Sequence, residues 1–199
     1  MLDHVFTDPI GAVRDALESA LLERQALEER FQTDLLLGDT TWETTYGLPG
    51  ESETPEISAV VTLAWPTWSQ SAYRTWFLDE ELDDAPRIEV EVVFRIQQVR
   101  TVPDPSAARA VVPLSPSIGA DRITSESITT EIHYSPDLDA STHAIELSYQ
   151  GSYELDDAAL SDGSALDRAF HAIGGWIAGA LVQLGDLALQ GAAELDHGE

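Results

Sequence analysis

Between Arg87 and Val99 the chain alternates cleanly, with Ile88, Val90, Val92, Phe94 and Ile96 on one side and Glu89, Glu91, Arg95 and Gln97 on the other. A period of two marks an extended strand, whose successive side chains leave opposite faces. Because one face carries charge it must stay wet, and that points away from a parallel sheet covered on both sides. The strand belongs to an antiparallel sheet with a single buried face. Something apolar has to cover that face, and two stretches of helical period are available.

The first lies at the N-terminus. Thr7 or Asp8 can cap it, Pro9 suits the first helical position, and Ile10, Val13, Leu17, Ala20, Leu21, Leu27 and Phe31 fall on one side. This spacing predicts a helix from Pro9 to about Gln32. Its pairs Arg14 with Glu18 and Arg24 with Glu28 read as a solvated face. The second stretch, from about Ser164 to Gln190, carries the stripe Leu166, Phe170, Ile173, Ile177, Leu181, Leu184 and Ala188 and is apolar almost all round. Gly174, Gly175, Gly179 and Gly185 interrupt it. A helical glycine costs about 1 kcal/mol against alanine, so these call for a packing reason. The small-xxx-small spacing of Gly175 and Gly179 predicts a close backbone contact there, with the sheet, the first helix or a neighbouring subunit.

Further strands are predicted around Trp42, Thr44 and Tyr46, ending at the turn Gly47-Leu48-Pro49-Gly50, and around Ile57, Ala59, Val61, Leu63 and Trp65, ending at Pro66. Tyr73 to Leu78 reads as a hairpin return across the linker Thr67 to Ala72. Arg122 to Tyr134 and Thr142 to Leu155 read as strands joined by the turn Ser135 to Asp139. The segment Thr101 to Asp121, with Pro103, Pro105, Pro113 and Pro116, is too long for a passive connection, and its apolar run Ala107 to Leu114 predicts a contact arm. The expected architecture is one α+β domain spanning residues 1–199. It has an antiparallel sheet of about five or six strands, covered by the N-terminal helix and the long apolar C-terminal helix.

Charge bounds the habitat. Asp and Glu number 36 against 10 basic residues, all arginine, for a formal net charge of -26. Self-repulsion of that size destabilises a compact state unless salt screens it, and at molar ionic strength the Debye length falls to about 3 Å. The composition resembles that of cytosolic proteins of salt-in haloarchaea, or of viruses that assemble inside them. This is a resemblance of composition and not of family. It implies a requirement for high salt, and a location in the cytoplasm of a halophile or in a virion formed there. Met1 to Val5 shows neither a basic nor an apolar leader segment. Membrane insertion is not expected, because the apolar stretch Ala169 to Gly185 only reaches the bottom of the spanning range before Asp186.

The same composition closes several chemistries. The chain has no cysteine, so disulfides, thiolate metal sites and cysteine nucleophiles are excluded. Without lysine there is no Schiff base, Ser-Lys dyad or phosphate-loop lysine. The arginines are scattered from Arg14 to Arg168, which argues against nucleic acid as a partner. His133 and His143 flank one turn, but alternation puts them on opposite faces of their strands, so they cannot share a metal. Carboxylate pairs such as Glu80 and Glu81 carry no information in so acidic a chain. No catalytic residue, metal or cofactor is therefore expected.

The positive signs concern contacts. Trp65, Trp68 and Trp76 crowd one stretch, Val111, Val112 and Leu114 lie on the proline-rich arm, and Gly175 and Gly179 mark the last helix. Tryptophan and tyrosine are enriched where proteins meet. These eight residues are the contact candidates. The expected function is that of a noncatalytic structural or assembly protein, such as a virion head or tail component, whose partners are other protein subunits in a homo-oligomer or larger particle. The alternative is a small-molecule module: a sheet around a long C-terminal helix resembles the helix-grip architecture of lipid- and polyketide-binding proteins, which implies an apolar cavity between helix and sheet.

Overall fold

The structure, a computed structural model, describes residues 4–21, 25–33, 38–48, 57–81, 84–99, 104–119, 121–135, 140–161 and 163–196. Helix α1 (His4–Ala20) leads into strands β1 (Gln25–Thr33), β2 (Thr40–Gly47) and β3 (Ile57–Trp65), then α2 (Thr67–Phe77) and β4 (Arg87–Val99). A short helix α3 (Pro105–Val111) and a small hairpin, β5 (Ser117–Ile118) with β6 (Asp121–Arg122), precede β7 (Thr124–Ser135) and β8 (Ala140–Glu154). One helical turn, α4 (Asp157–Ser161), introduces the long α5 (Ser164–Asp196). The fold is α+β: β1, β2, β3, β4, β8 and β7, in that order, form one antiparallel sheet, on which α1 and α5 pack.

The alternation read in Arg87–Val99 organises the sheet. Ile88, Val90, Val92, Phe94 and Ile96 are all buried, and register joins them to neighbours of the same parity. One row runs Tyr46, Ala59, Phe94, Leu147, Ile128 across five strands. Small Ala59 between two aromatic residues lets the row interdigitate with the helices above. The α5 stripe Leu166, Phe170, Ile173, Ile177, Leu181 and Leu184 is fully buried, as the spacing predicts.

Three local expectations are corrected. Helix α1 begins at His4 and not at Pro9, and Pro9 lies inside it. An internal proline forfeits one helical hydrogen bond, but the added turn buries Val5 and Phe6 completely, and burial of each side chain stabilises by about 1.5–3 kcal/mol. The same helix stops at Ala20, and the stretch expected to continue it to Gln32 contains β1, paired along β2 from Gln25↔Gly47 to Thr33↔Thr40. Its residues are good helix formers, yet propensity differences of a few tenths of a kcal/mol per residue yield to ladder bonds with a neighbouring strand.

The predicted return strand Tyr73 to Leu78 is likewise the second half of helix α2. Ser69 and Tyr73 are buried and Trp76 packs against the core, an i, i+4, i+7 spacing concealed by aromatic residues that also suit strands. The turn Gly47 to Gly50 and the turn Ser135 to Asp139 fall partly outside the described residues.

The glycines of α5 divide otherwise than expected. Around Gly175 and Gly179 an added Cβ would meet nothing within 4 Å, so among the described residues they make no close contact. The inward phase belongs to Gly174, where a Cβ would stand 2.6 Å from Ala16 Cβ and 2.8 Å from the Val13 carbonyl oxygen, and to Gly185, where it would stand 2.9 Å from Leu48 Cδ1. Gly174 is thus where α1 and α5 touch. Gly174→Ala is expected to lower stability by about 1–3 kcal/mol through overpacking. Gly175→Ala and Gly179→Ala should each raise it by about 0.5–1 kcal/mol, since only the helical cost of glycine is removed. Urea melts of the three variants check both signs. A loss at Gly179→Ala would place a partner's backbone against this face of the helix.

Candidate contact site

Helix α2 is held to the sheet by polar anchors at fixed points. The Asp39 carboxylate accepts from Thr67 N at 2.6 Å, which satisfies one of the open donors of the first turn. Ser69 Oγ donates to the Arg87 carbonyl and accepts from Arg87 N, at 2.7 and 2.8 Å, and so bridges the helix to the start of β4. The Gln70 amide donates to the carbonyls of Gly38 and Trp65. Beneath these bonds runs an aromatic chain: Phe6 stacks on Trp65, Trp65 meets Tyr73 at 5.8 Å, and Tyr73 stacks on Trp76 at 5.9 Å. Trp76 Nε1 donates to Asp157 Oδ1.

What the anchors leave outside includes three large apolar side chains, beside Ser71 and Arg74. Trp68 is 42% exposed, Phe77 72% and Leu78 66%. At 100° per residue Trp68 and Phe77 lie on opposite flanks of the helix, and Leu78 caps its end. The Arg87 guanidinium sits over the Trp68 ring at 5.1 Å and holds the indole in place.

The contact candidates read from the sequence separate accordingly. Trp68 lies on the surface. Trp65, only 6% exposed, belongs to the core and is withdrawn as a contact residue, because its ring closes the gap between Phe6 and Tyr73. Trp76, Val111 and Val112 are partly buried and pack against the core, whereas Leu114 is 81% exposed. Gly175 and Gly179 lie on the uncovered side of α5. Phe77 and Leu78 were missed; reading α2 as a strand hid the helical phase that turns them outward.

The proline-rich segment is no free arm among its described residues. Asp104 caps α3 by accepting from Ser106 N, Ala108 is fully buried, and the carbonyl of Pro113 accepts from Trp176 Nε1 at 2.8 Å. Further along, Ser115 Oγ donates to the Ile123 carbonyl, and Ile118 and Ile123 press on β8 where Gly151 leaves room for them. The surface its apolar run docks on is α5 of the same chain.

The sheet face turned away from the helices is polar. In register across four strands stand Thr62, Glu91, Gln150 and Thr124, with Ala64, Glu89 and Ser152 one row on. With Arg87 and Arg122 at its margins, this surface forms an open concavity of about 680 Å³. Arg95 and Glu146, directly opposite one another on β4 and β8, pair on the same face. In the ladder Ile132 pairs with His143 and His133 with Thr142, so the two histidines are not register partners. Among the described residues no group of three metal-ligating side chains converges, and no helix is long and apolar enough to cross a membrane.

Between sheet and α5, Phe94, Tyr149 and Trp176 meet edge to face with centroids 5.4 to 5.8 Å apart. Burial raises the Tyr149 hydroxyl above its usual pKa, with Arg109 of α3 pulling the other way. Burial also raises Tyr153, with Asp156 adding to the shift and Arg168 opposing it. Comparison with protein-family models, with curated proteins and with solved structures finds no match.

Proposed function

We propose that this chain is a noncatalytic assembly subunit of a halophile, or of a virus that assembles in one, and that it works by contacts with further copies of itself. The observation that carries the reading is helix α2. It is fixed by Asp39, Ser69 and Gln70 and yet presents Trp68, Phe77 and Leu78 to solvent. Rigid aromatic side chains lose little conformational entropy on binding, and anchors of this type carry most of the energy of protein interfaces.

Charge agrees with the setting. Two copies at -26 each repel strongly in dilute buffer, but at molar salt the field is confined to direct contacts and apolar anchors decide the outcome. The helix-grip alternative needs open apolar space between α5 and the sheet, where Phe94, Tyr149 and Trp176 stand against one another.

Sedimentation velocity in molar KCl tests the reading. The wild type is expected to run as a discrete oligomer, and the double variant Trp68→Ser, Phe77→Ser to dissociate with a loss of about 2 kcal/mol or more at a hot spot. A wild type that stays monomeric at high concentration would refute the proposal.

A further inference from the structure

The sheet has two edges, β1 and β7, and they are defended differently. An edge strand offers a row of unpaired N–H and C=O groups, and proteins blunt such edges with charge, proline or bulges. Strand β1 carries an irregularity between Ala26 and Glu28 and then three consecutive charges, Glu28, Glu29 and Arg30. Strand β7 carries an irregularity too, between Ser125 and Ser127, but runs regularly from there to Ser135, and its twelve residues include only two charged side chains at neutral pH, Glu126 and Glu131, and no proline. It also holds Ile132, 69% exposed on the side of the sheet that faces the helices.

We infer that β7 is a second contact surface and that its occupant is the β7 strand of another copy, paired antiparallel about a two-fold axis at Thr130. The argument is self-complementarity, which an isologous contact demands. With Thr130 opposite its own copy, Ile128 faces Ile132 of the second copy and Ile132 faces Ile128. Both pairs lie on the helix side of the sheet, since directly opposite residues share a face. The row Tyr46, Ala59, Phe94, Leu147, Ile128 is thereby continued by an isoleucine, and the exposed Ile132 gains an apolar neighbour.

No acid meets an acid in this register: Glu131 stands opposite Thr129, and Glu126 lies in the irregularity before Ser127, outside the regular ladder. Moving the axis to Glu131 would set two carboxylates face to face, and moving it to Thr129 would set Ile128 against Thr130 and carry Ile132 against the irregularity before Ser127. In the Thr130 register the two Glu131 side chains lie on a diagonal, about 7–8 Å apart. The contact therefore strengthens with salt. It rests on the reading of the chain as an assembling subunit and specifies one of its contacts. Joined to the surface of α2, it would give each copy two separate faces, as a larger particle requires.

The chain has no cysteine, so a single one reports the axis cleanly. Thr130→Cys, oxidised in molar KCl, is expected to give a disulfide-linked dimer on a non-reducing gel, several-fold faster than Ser19→Cys, an exposed control on α1 outside both proposed contacts. Thr130→Glu should abolish the pairing without changing the circular-dichroism spectrum. If Thr130→Cys links no faster than Ser19→Cys while sedimentation still finds an oligomer, the edge contact is overturned and the assembly reading stands. If the wild type is a monomer in molar salt and Thr130→Cys does not link, both fall together.

Discussion

In about 0.1 M KCl the protein is expected to be largely unfolded, and to recover its far-ultraviolet circular dichroism as KCl rises into the molar range. The acids are not merely numerous; the fold gathers them. Asp8 and Asp15 of α1 and Asp167 of α5 line one shallow groove between the helices, and Glu89 and Glu91 share the open face of β4. Arg95 with Glu146 is an ion pair on that face, partly exposed and so of small worth. Two charges about 7 Å apart in water repel by roughly 0.6 kcal/mol, and a domain is stable by only about 5–15 kcal/mol, so a modest number of unscreened pairs exhausts the margin. Salt at about 3 M shortens the Debye length to a few ångströms and removes nearly all of this repulsion. A melting midpoint equal in about 0.1 M and about 3 M KCl would exclude salt adaptation as the reason for the composition.

Where two levels of sequence information agreed, the fold was legible. Alternation in Arg87–Val99 and the apolar stripe of α5 each follow from one period, and the two surfaces they define are the ones that meet in the core. Legibility failed where propensity and pairing disagreed. Residues 25–33 carry glutamate, glutamine, arginine and leucine, which favour helices, and what makes them a strand is the exposed edge of β2. Residues 67–77 carry threonine, tyrosine and tryptophan, which favour strands, and the helix there is held by Asp39, Gly38 and Arg87, all distant in sequence. Such long-range bonds leave no local signature. The contact residues suffered accordingly: Trp68 was named from the crowding of tryptophans in one stretch, but Phe77 and Leu78 needed the helical phase, and Gly175 and Gly179 were assigned the inward phase that Gly174 holds.

Trp176→Ala should be the most damaging single change in the core, with an expected loss of about 3–5 kcal/mol. The indole performs two jobs at one place. Its ring fills the centre of the helix–sheet interface, 5.5 Å from Phe94 and 5.4 Å from Tyr149, and its Nε1 holds the segment after α3 through the Pro113 carbonyl. Trp176→Phe separates the two, since it keeps a ring but leaves that carbonyl without its donor, at about 1 kcal/mol or somewhat more. Its mark should be local: faster tryptic cleavage at Arg109 with a nearly unchanged melt. Trp176→Ala should lower the melt and open the Arg109 bond together.

The alkaline limb gives an independent reading of the same aromatic cluster. Because burial raises the Tyr149 pKa in the folded chain, stability on this account is full below about pH 10, the ordinary tyrosine value, and is lost as pH rises through the raised one. Water admitted by Trp176→Ala relieves the desolvation that causes the shift. Ultraviolet titration should then find Tyr149 ionising closer to its ordinary value, whereas an unchanged titration would mean that the sheet collapses onto α5 and keeps the hydroxyl dry.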